Sequence, residues 1–134
     1  MSFEWSDDLA TGVSDIDSQH RELISRLNRL IASCTGGSDT GEVGRYLEFL
    51  REYIAFHFAA EEREMTGHRY PKLAEHEAEH ELFKKRVNAI CRSHAEHGAG
   101  IAVLLMTIQS SGDWLLNHIQ GTDREMAAYL KGKR

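Results

Sequence analysis

Apolar positions recur along this chain at intervals of three and four, the spacing of helices that bury one face. The first seam is Ile16, His20, Leu23, Leu27, Leu30 and Cys34, and Thr35-Gly36-Gly37-Ser38 supplies the glycines that end a helix. The second is Val43, Leu47, Leu50, Ile54, His57 and Glu61, opened by Asp39 and Glu42 at capping-box spacing, with Asp in place of Ser or Thr. The third is Leu73, His76, His80, Phe83, Val87 and Ile90. It lies between Pro71, suited to the first position of a helix, and His97-Gly98-Ala99-Gly100. The fourth is Ile101, Leu104, Ile108, Ser111, Leu115 and His118. No period-two alternation competes. The expectation is an all-α fold, an up-down-up-down four-helix bundle with helices at 16–35, 40–66, 71–95 and 100–120. An N-terminal arm over 1–15, packed by its few apolar groups, precedes them, with Asp15 or Asp17 capping the first helix, and a short C-terminal helix over 123–131 follows.

Composition narrows the function classes. A chain of 134 residues, 41% of them apolar, is expected to form a single domain over 1–134 with an ordinary core. The net charge of -5 and scattered Lys and Arg leave no basic stripe, so no nucleic-acid partner is expected. The apolar runs are too short for a membrane span, and Met1-Ser2-Phe3-Glu4-Trp5 is not the start of a secretory leader, so a cytoplasmic location is expected. Cys34 and Cys91 have no CxxC spacing and are expected to remain thiols without an assigned role. A monomer is expected, and no protein partner is identifiable.

Eight histidines in so short a chain point to metal or proton chemistry, and their placement decides between the two. His20, His57, His76, His80 and His118 fall on the seams, with Glu61 four residues after His57. His68, His94 and His97 fall in or beside loops and read as solvated. One core histidine is ordinarily just hydrogen-bonded. Five of them with carboxylates in a bundle interior carry a desolvation cost that only metal binding relieves. The pairs Glu62/Glu64 and Glu75/Glu77/Glu79 read as a solvated face among Lys and Arg. Asp123, five residues after His118, is off that histidine's face in a regular helix. Gly121-Thr122 between them predicts that the helix ends or loosens, swinging Asp123 back to the cluster, with capping of the last helix as its other role.

Five imidazoles and two carboxylates exceed the needs of one ion and suit two. Without thiolates they suit iron, manganese, zinc or copper, with iron preferred because carboxylate-bridged iron pairs recur in bundles. The nitrogen-rich set, lacking a seam Glu-x-x-His pair, argues against oxidative attack on substrates.

The whole chain resembles the hemerythrin family in its bacterial form. The resemblance is carried by Trp5, Gly12-Val13, Ile16-Asp17-Ser18-Gln19-His20, His57-Phe58-Ala59-Ala60-Glu61-Glu62, Tyr70-Pro71, His76-Glu77-Ala78-Glu79-His80 and Trp114-Leu115-Leu116-Asn117-His118-Ile119. It implies two non-haem iron ions with an oxo or hydroxo bridge: His76, His80 and His118 on one, His20 and His57 on the other, Glu61 and Asp123 bridging. Counting ligands for two six-coordinate ions then leaves one position, on the two-histidine iron, for dioxygen. The resemblance also implies a small apolar pocket there, in which Leu115, Trp114 and Ile119 would stand.

The function expected is therefore reversible dioxygen binding by a carrier, store or delivery protein that is not an enzyme. An oxygen or redox sensor acting through a separate partner is the alternative, disfavoured by a chain that starts and stops close to the bundle. A di-iron peroxidase or nitric-oxide-handling enzyme is third, for want of a seam proton donor, although Tyr53 or Tyr129, placed off the seams, could supply one.

Overall fold

The computed structural model describes residues 3–35, 41–98 and 100–132. Helix α1 spans Ser14–Thr35, α2 Gly41–Gly67, α3 Leu73–His97 and α4 Ile101–Asp113. The last runs on as a π-helix over Trp114–Asp123 and then as α5, Arg124–Gly132. Neighbours in sequence pack together and α1 also meets α4, which closes a four-helix bundle. The short connections make consecutive helices antiparallel. No helix among the described residues is long and apolar enough to cross a membrane. The predicted glycine stop at 36–38 and the cap at Asp39 lie outside the described residues.

The seams of α1 and α3 are where the spacing put them: Ile16, His20, Leu23, Leu27, Leu30, His76, His80, Phe83, Val87 and Ile90 are all buried. Burying a leucine such as Leu27 contributes about 1.5–3 kcal/mol, well above the differences in intrinsic propensity among ordinary helix residues. The α2 stripe is broader than expected, since Tyr46, Tyr53 and Phe58 join it while Ile54 is only partly buried. In α4 the predicted seam holds in its second half, where Ser111 is buried and Leu115 and His118 follow it into the interior, and drifts in its first. Val103 and Thr107 point inward, Leu104 and Ile108 are partly buried, and Ile101 is 73% exposed. The helix carries no charge before Asp113 and is apolar most of the way round, so its periodicity does not select a face.

The ends of the helices show how the chain turns. Asp17 does not cap the first N–H groups of α1, which begins at Ser14. From inside the helix its carboxylate reaches back and holds the incoming arm, accepting from the Thr11 N–H at 2.7 Å, the Thr11 hydroxyl at 2.8 Å and the Gly12 N–H at 3.3 Å. The arm before it is fastened by Phe3, whose N–H donates to Asn28 Oδ1 at 2.8 Å while Asn28 Nδ2 donates back to the Phe3 carbonyl. After α2 the Tyr70 N–H reaches the Met65 carbonyl and the Arg69 N–H the Thr66 carbonyl, with Arg69 left-handed at φ 55°. This is a Schellman ending in which Tyr70 packs on Met65. Pro71 does not start α3. It occupies the second position of a turn closed by the Leu73 N–H on the Tyr70 carbonyl, a place where its fixed φ fits, and the helix starts two residues later. Gly98, at φ 77°, ends α3.

The apolar interior is in two parts. A large cluster fills one end of the bundle, and a small one of Met65, Tyr70, Met126 and Leu130 closes the other. The histidines lie between them, with Tyr53 and Phe58 stacked on His57 and His80 from one side and Tyr70 edge-on to His76 from the other.

Candidate metal centre

Every bundle helix contributes to one buried polar cluster: His20 from α1, His57 and Glu61 from α2, His76 and His80 from α3, His118 and Asp123 from the π-helix. None of the seven is more than 2% exposed. The two carboxylates divide the imidazoles. Glu61 Oε1 faces Nε2 of His80 at 3.0 Å, His76 at 3.1 Å and His118 at 3.8 Å. Its Oε2 faces His57 at 2.9 Å and His20 at 3.6 Å. Asp123 repeats the division, with Oδ1 3.1 Å from both His76 and His118 and Oδ2 3.1 Å from His20. Two groups result, Glu61/His76/His80/His118 and His20/His57/Glu61/Asp123, each with its donor atoms within 4.8 Å of one another.

The spacing of five between His118 and Asp123 is resolved by a different helix, not by a break. Residues 114–123 wind as a π-helix, whose i→i+5 bonding sets residue i+5 close to one full turn from residue i. Asp123 is thereby returned to the face of His118 while the chain continues directly into α5. Its oxygens cap nothing, so the expected second role is not filled. Glu79 pins the segment from α3: its Oε1 accepts from the Thr122 hydroxyl and from His118 Nδ1, both at 2.8 Å.

On their outer sides the imidazoles are held by residues that the periodicity assigned to solvent or did not single out. His57 Nδ1–H donates to Gln19 Oε1 at 2.6 Å, His80 Nδ1–H to Glu62 Oε2 at 2.8 Å, and His118 Nδ1–H to Glu79 Oε1. Glu62 and Glu79 are thus not merely a solvated face. Each of the three bracing residues is the chain neighbour of a cluster residue, Gln19 of His20, Glu62 of Glu61 and Glu79 of His80, and each supports a histidine on another helix. That adjacency was the available signal. A proton on Nδ1 leaves the Nε2 lone pair of these rings aimed at carboxylate oxygens about 3 Å away, two acceptors facing each other. A cation between them removes the conflict. The unpartnered state of His20 Nε2, His118 Nε2 and both Asp123 oxygens, all fully buried, fits the same conclusion.

The electrostatics show how strongly the site attracts positive charge. Burial would lower His20 and His76, but the carboxylates of Asp123 and Glu61 lying against them outweigh it and raise both to about 9. His118, under the same opposition, rises to about 10. At His57 burial prevails, and the ring is lowered. Glu61 and Asp123, despite burial, are held well below the usual carboxylate range by the surrounding imidazoles, chiefly His57 and His118 respectively.

Three imidazoles are covered flat by aromatic rings: His57 by Tyr53 with centroids 4.6 Å apart, His80 by Phe58 at 3.8 Å and His118 by Trp114 at 3.7 Å. Leu115 and Ile119 are buried in the same apolar cluster as Trp114 and Phe58. Tyr53 is a core residue, contrary to its expected place off the seam. Tyr129 donates to the His68 carbonyl near the closing turn. Of the three histidines expected in solvent only His97 is exposed, whereas His94 is half-buried within α3 and His68 is half-buried with its Nδ1–H on the Glu64 carbonyl at 2.9 Å.

Such a site defines a class, a helical bundle that binds a pair of metal ions through shared carboxylates. The family profile described as "Hemerythrin HHE cation binding domain" matches residues 11–130. The chain is 39% identical over 127 residues to the bacteriohemerythrin of Stenotrophomonas maltophilia, an alignment covering 95% of this chain and 80% of that one. It is 34% identical to the bacteriohemerythrin of Pseudomonas aeruginosa, with 97% and 80% covered, and 32% to that of Methylococcus capsulatus, with 87% of each covered. The chain belongs to the hemerythrin family.

Proposed function

We propose that this protein binds dioxygen reversibly at a non-haem di-iron centre and serves as an oxygen carrier, store or delivery protein. The observation that carries the reading is the division of Glu61 and Asp123, each presenting one oxygen to either group of imidazoles. His76, His80 and His118 would hold one iron and His20 and His57 the other, with both carboxylates bridging. What the iron pair supplies when bound is a reversible exchange of electrons with dioxygen. The chain's own contribution is to fix and protect. Gln19, Glu62 and Glu79 hold three Nδ1 protons, so that Nε2 faces inward with its lone pair free. Leu115, Ile119 and Trp114 would wall the open position and keep water and anions from it. The arrangement favours binding over turnover, since the buried carboxylates among the described residues, Glu61 and Asp123, are both proposed ligands. The reading takes residues 1–134 as one domain acting as a cytoplasmic monomer. The free Cys91 thiol supports a reducing compartment.

The test is an absorption spectrum. The anaerobically reduced, iron-loaded protein is nearly colourless, gains a visible charge-transfer band with oxygen and loses it when oxygen is removed. In Leu115→Ala the passage to the diferric form is several-fold faster with iron content nearly unchanged. Immediate irreversible oxidation of the wild type, with an added reductant consumed over many cycles, would instead establish an enzyme.

A further inference from the structure

Two buried tyrosines, Tyr46 and Tyr53, project from one face of α2 two turns apart, and their hydroxyls have different fates. Tyr46 donates to Ser111 Oγ at 2.8 Å and is satisfied within the core. The Tyr53 hydroxyl is fully buried and has no hydrogen-bond partner among the described residues. A buried phenol oxygen without a partner carries a desolvation penalty that phenylalanine in the same place would not. Its surroundings indicate what the partner is. The ring lies parallel to His57, within 13°, and so covers part of the two-histidine group, the side with two imidazoles where the other has three. The hydroxyl neighbours the Trp114 indole N–H, which is also buried and unpartnered. An indole N–H can only donate, so it can approach the phenol oxygen only in a way that leaves the phenol proton free. Around these two groups the wall is apolar: Phe58 packs against both rings.

We propose that the Tyr53 hydroxyl is the hydrogen-bond donor of the ligand pocket, giving its proton to an acceptor atom of the small molecule bound on the two-histidine side. This rests on the oxygen-binding reading and adds a specificity element to it. A pocket closed by apolar side chains alone selects by size, whereas one that carries a single buried donor also selects for a ligand with an acceptor atom at its outer end. Tyr53 binds and positions; it exchanges no electrons and forms no bond to the ligand.

The experiment uses the iron-loaded protein and azide as a small probe with acceptor atoms, titrated into the diferric form and followed by absorption. In Tyr53→Phe the azide Kd rises about five- to tenfold, about 1–1.4 kcal/mol. Iron per chain is unchanged and Tm is not lowered, because the substitution removes an unpartnered hydroxyl. Tyr46→Phe gives the reverse result: it breaks the bond to Ser111 and lowers Tm by a few degrees, while the azide Kd stays at the wild-type value. Equal azide affinity in Tyr53→Phe and wild type overturns the assignment and leaves the oxygen reading standing. A loss of affinity accompanied by loss of iron makes Tyr53 a packing residue and overturns it too. A wild-type protein that takes up no iron pair, or binds no azide when loaded, sinks the oxygen reading itself.

Discussion

The two halves of the cluster share their carboxylates, and each leaves one imidazole Nδ1 without a partner among the described residues, His76 on one side and His20 on the other. They differ in how the remaining histidines are held. On the three-histidine side, His80 and His118 give their Nδ1 protons to Glu62 and Glu79, and their rings are covered by Phe58 and Trp114. On the two-histidine side, His57 gives its proton to the neutral amide of Gln19, His20 Nδ1 has no partner among the described residues, and the covering ring is a tyrosine. An imidazole bonded to a carboxylate is the more basic ligand and the more firmly oriented one. Under the proposed assignment, one half would hold its ion closed, and the other would hold an ion with fewer and softer supports, which is where the proposal puts the ligand.

Removing a histidine tests the comparison most severely. His80→Ala and His57→Ala each leave buried carboxylate oxygens without the ion that satisfied them, and breaking such a set costs on the order of 3–5 kcal/mol. Iron per chain falls from two toward one or none by elemental analysis, and Tm falls with it. The loss in His80→Ala is the greater, because that side carries the tighter support. His94→Ala, at a half-buried position outside the cluster, keeps full iron. Full occupancy in both cluster variants would mean that the ligands have been misassigned.

Acid and base act on the two forms of the protein in opposite directions. In the metal-free protein His20 and His76 titrate at about 9 and His118 at about 10, all above their ordinary value of 6.5. The stability they confer is fully present below pH 6.5 and is lost as pH rises through 9 to 10, a change on the order of several kcal/mol. His57, lowered, works the other way. Iron replaces these protons, so the loaded protein is least stable in acid, where protons compete for the same Nε2 atoms. Thermal melts from pH 6 to 10 give a falling Tm without metal, while chelator-resistant iron falls as pH drops. A flat melt profile for the metal-free protein would contradict the charge balance proposed for the site.

The sequence made the cluster legible because each of His20, His57, Glu61, His76, His80 and His118 stands on a seam, where the period of a regular helix locates it. Asp123 was the exception. Its spacing of five belongs to a π-helix, and no local composition distinguishes that winding from a helix that frays at Gly121-Thr122. The bracing residues were hidden for a related reason. Glu62, Glu79 and Gln19 are half-exposed neighbours of cluster residues, one step round the helix, and only the packing of a second helix brings an imidazole to them. The inward positions Val103 and Thr107 in the first half of α4 were lost because a helix apolar on most sides gives its period nothing to mark. Tyr53 was set aside for the converse reason, that the α2 seam was drawn narrower than the stripe the bundle buries.

The smallest effect gives the sharpest comparison. Glu79→Ala and Gln19→Ala each remove an acceptor from a ligand histidine without touching a ligand, and changes of this kind cost about 10- to 100-fold in metal affinity. Glu79 is the larger loss for two reasons. A charged acceptor bonds roughly twice as strongly as a neutral one, and Glu79 also holds Thr122, so its removal frees the π-helix at two points. Its side chain is 43% exposed, which screens the charge and keeps the effect nearer the lower end. Gln19→Ala loosens only His57 and leaves the three-histidine group intact. Iron retained against a chelator over time therefore falls in both variants, further in Glu79→Ala, while Gln19→Glu, which gives His57 a carboxylate like that of its counterparts, retains iron longer than wild type. If Gln19→Ala loses iron as fast as Glu79→Ala, the two halves are equally braced, and the open position must then be explained by the count of donors alone.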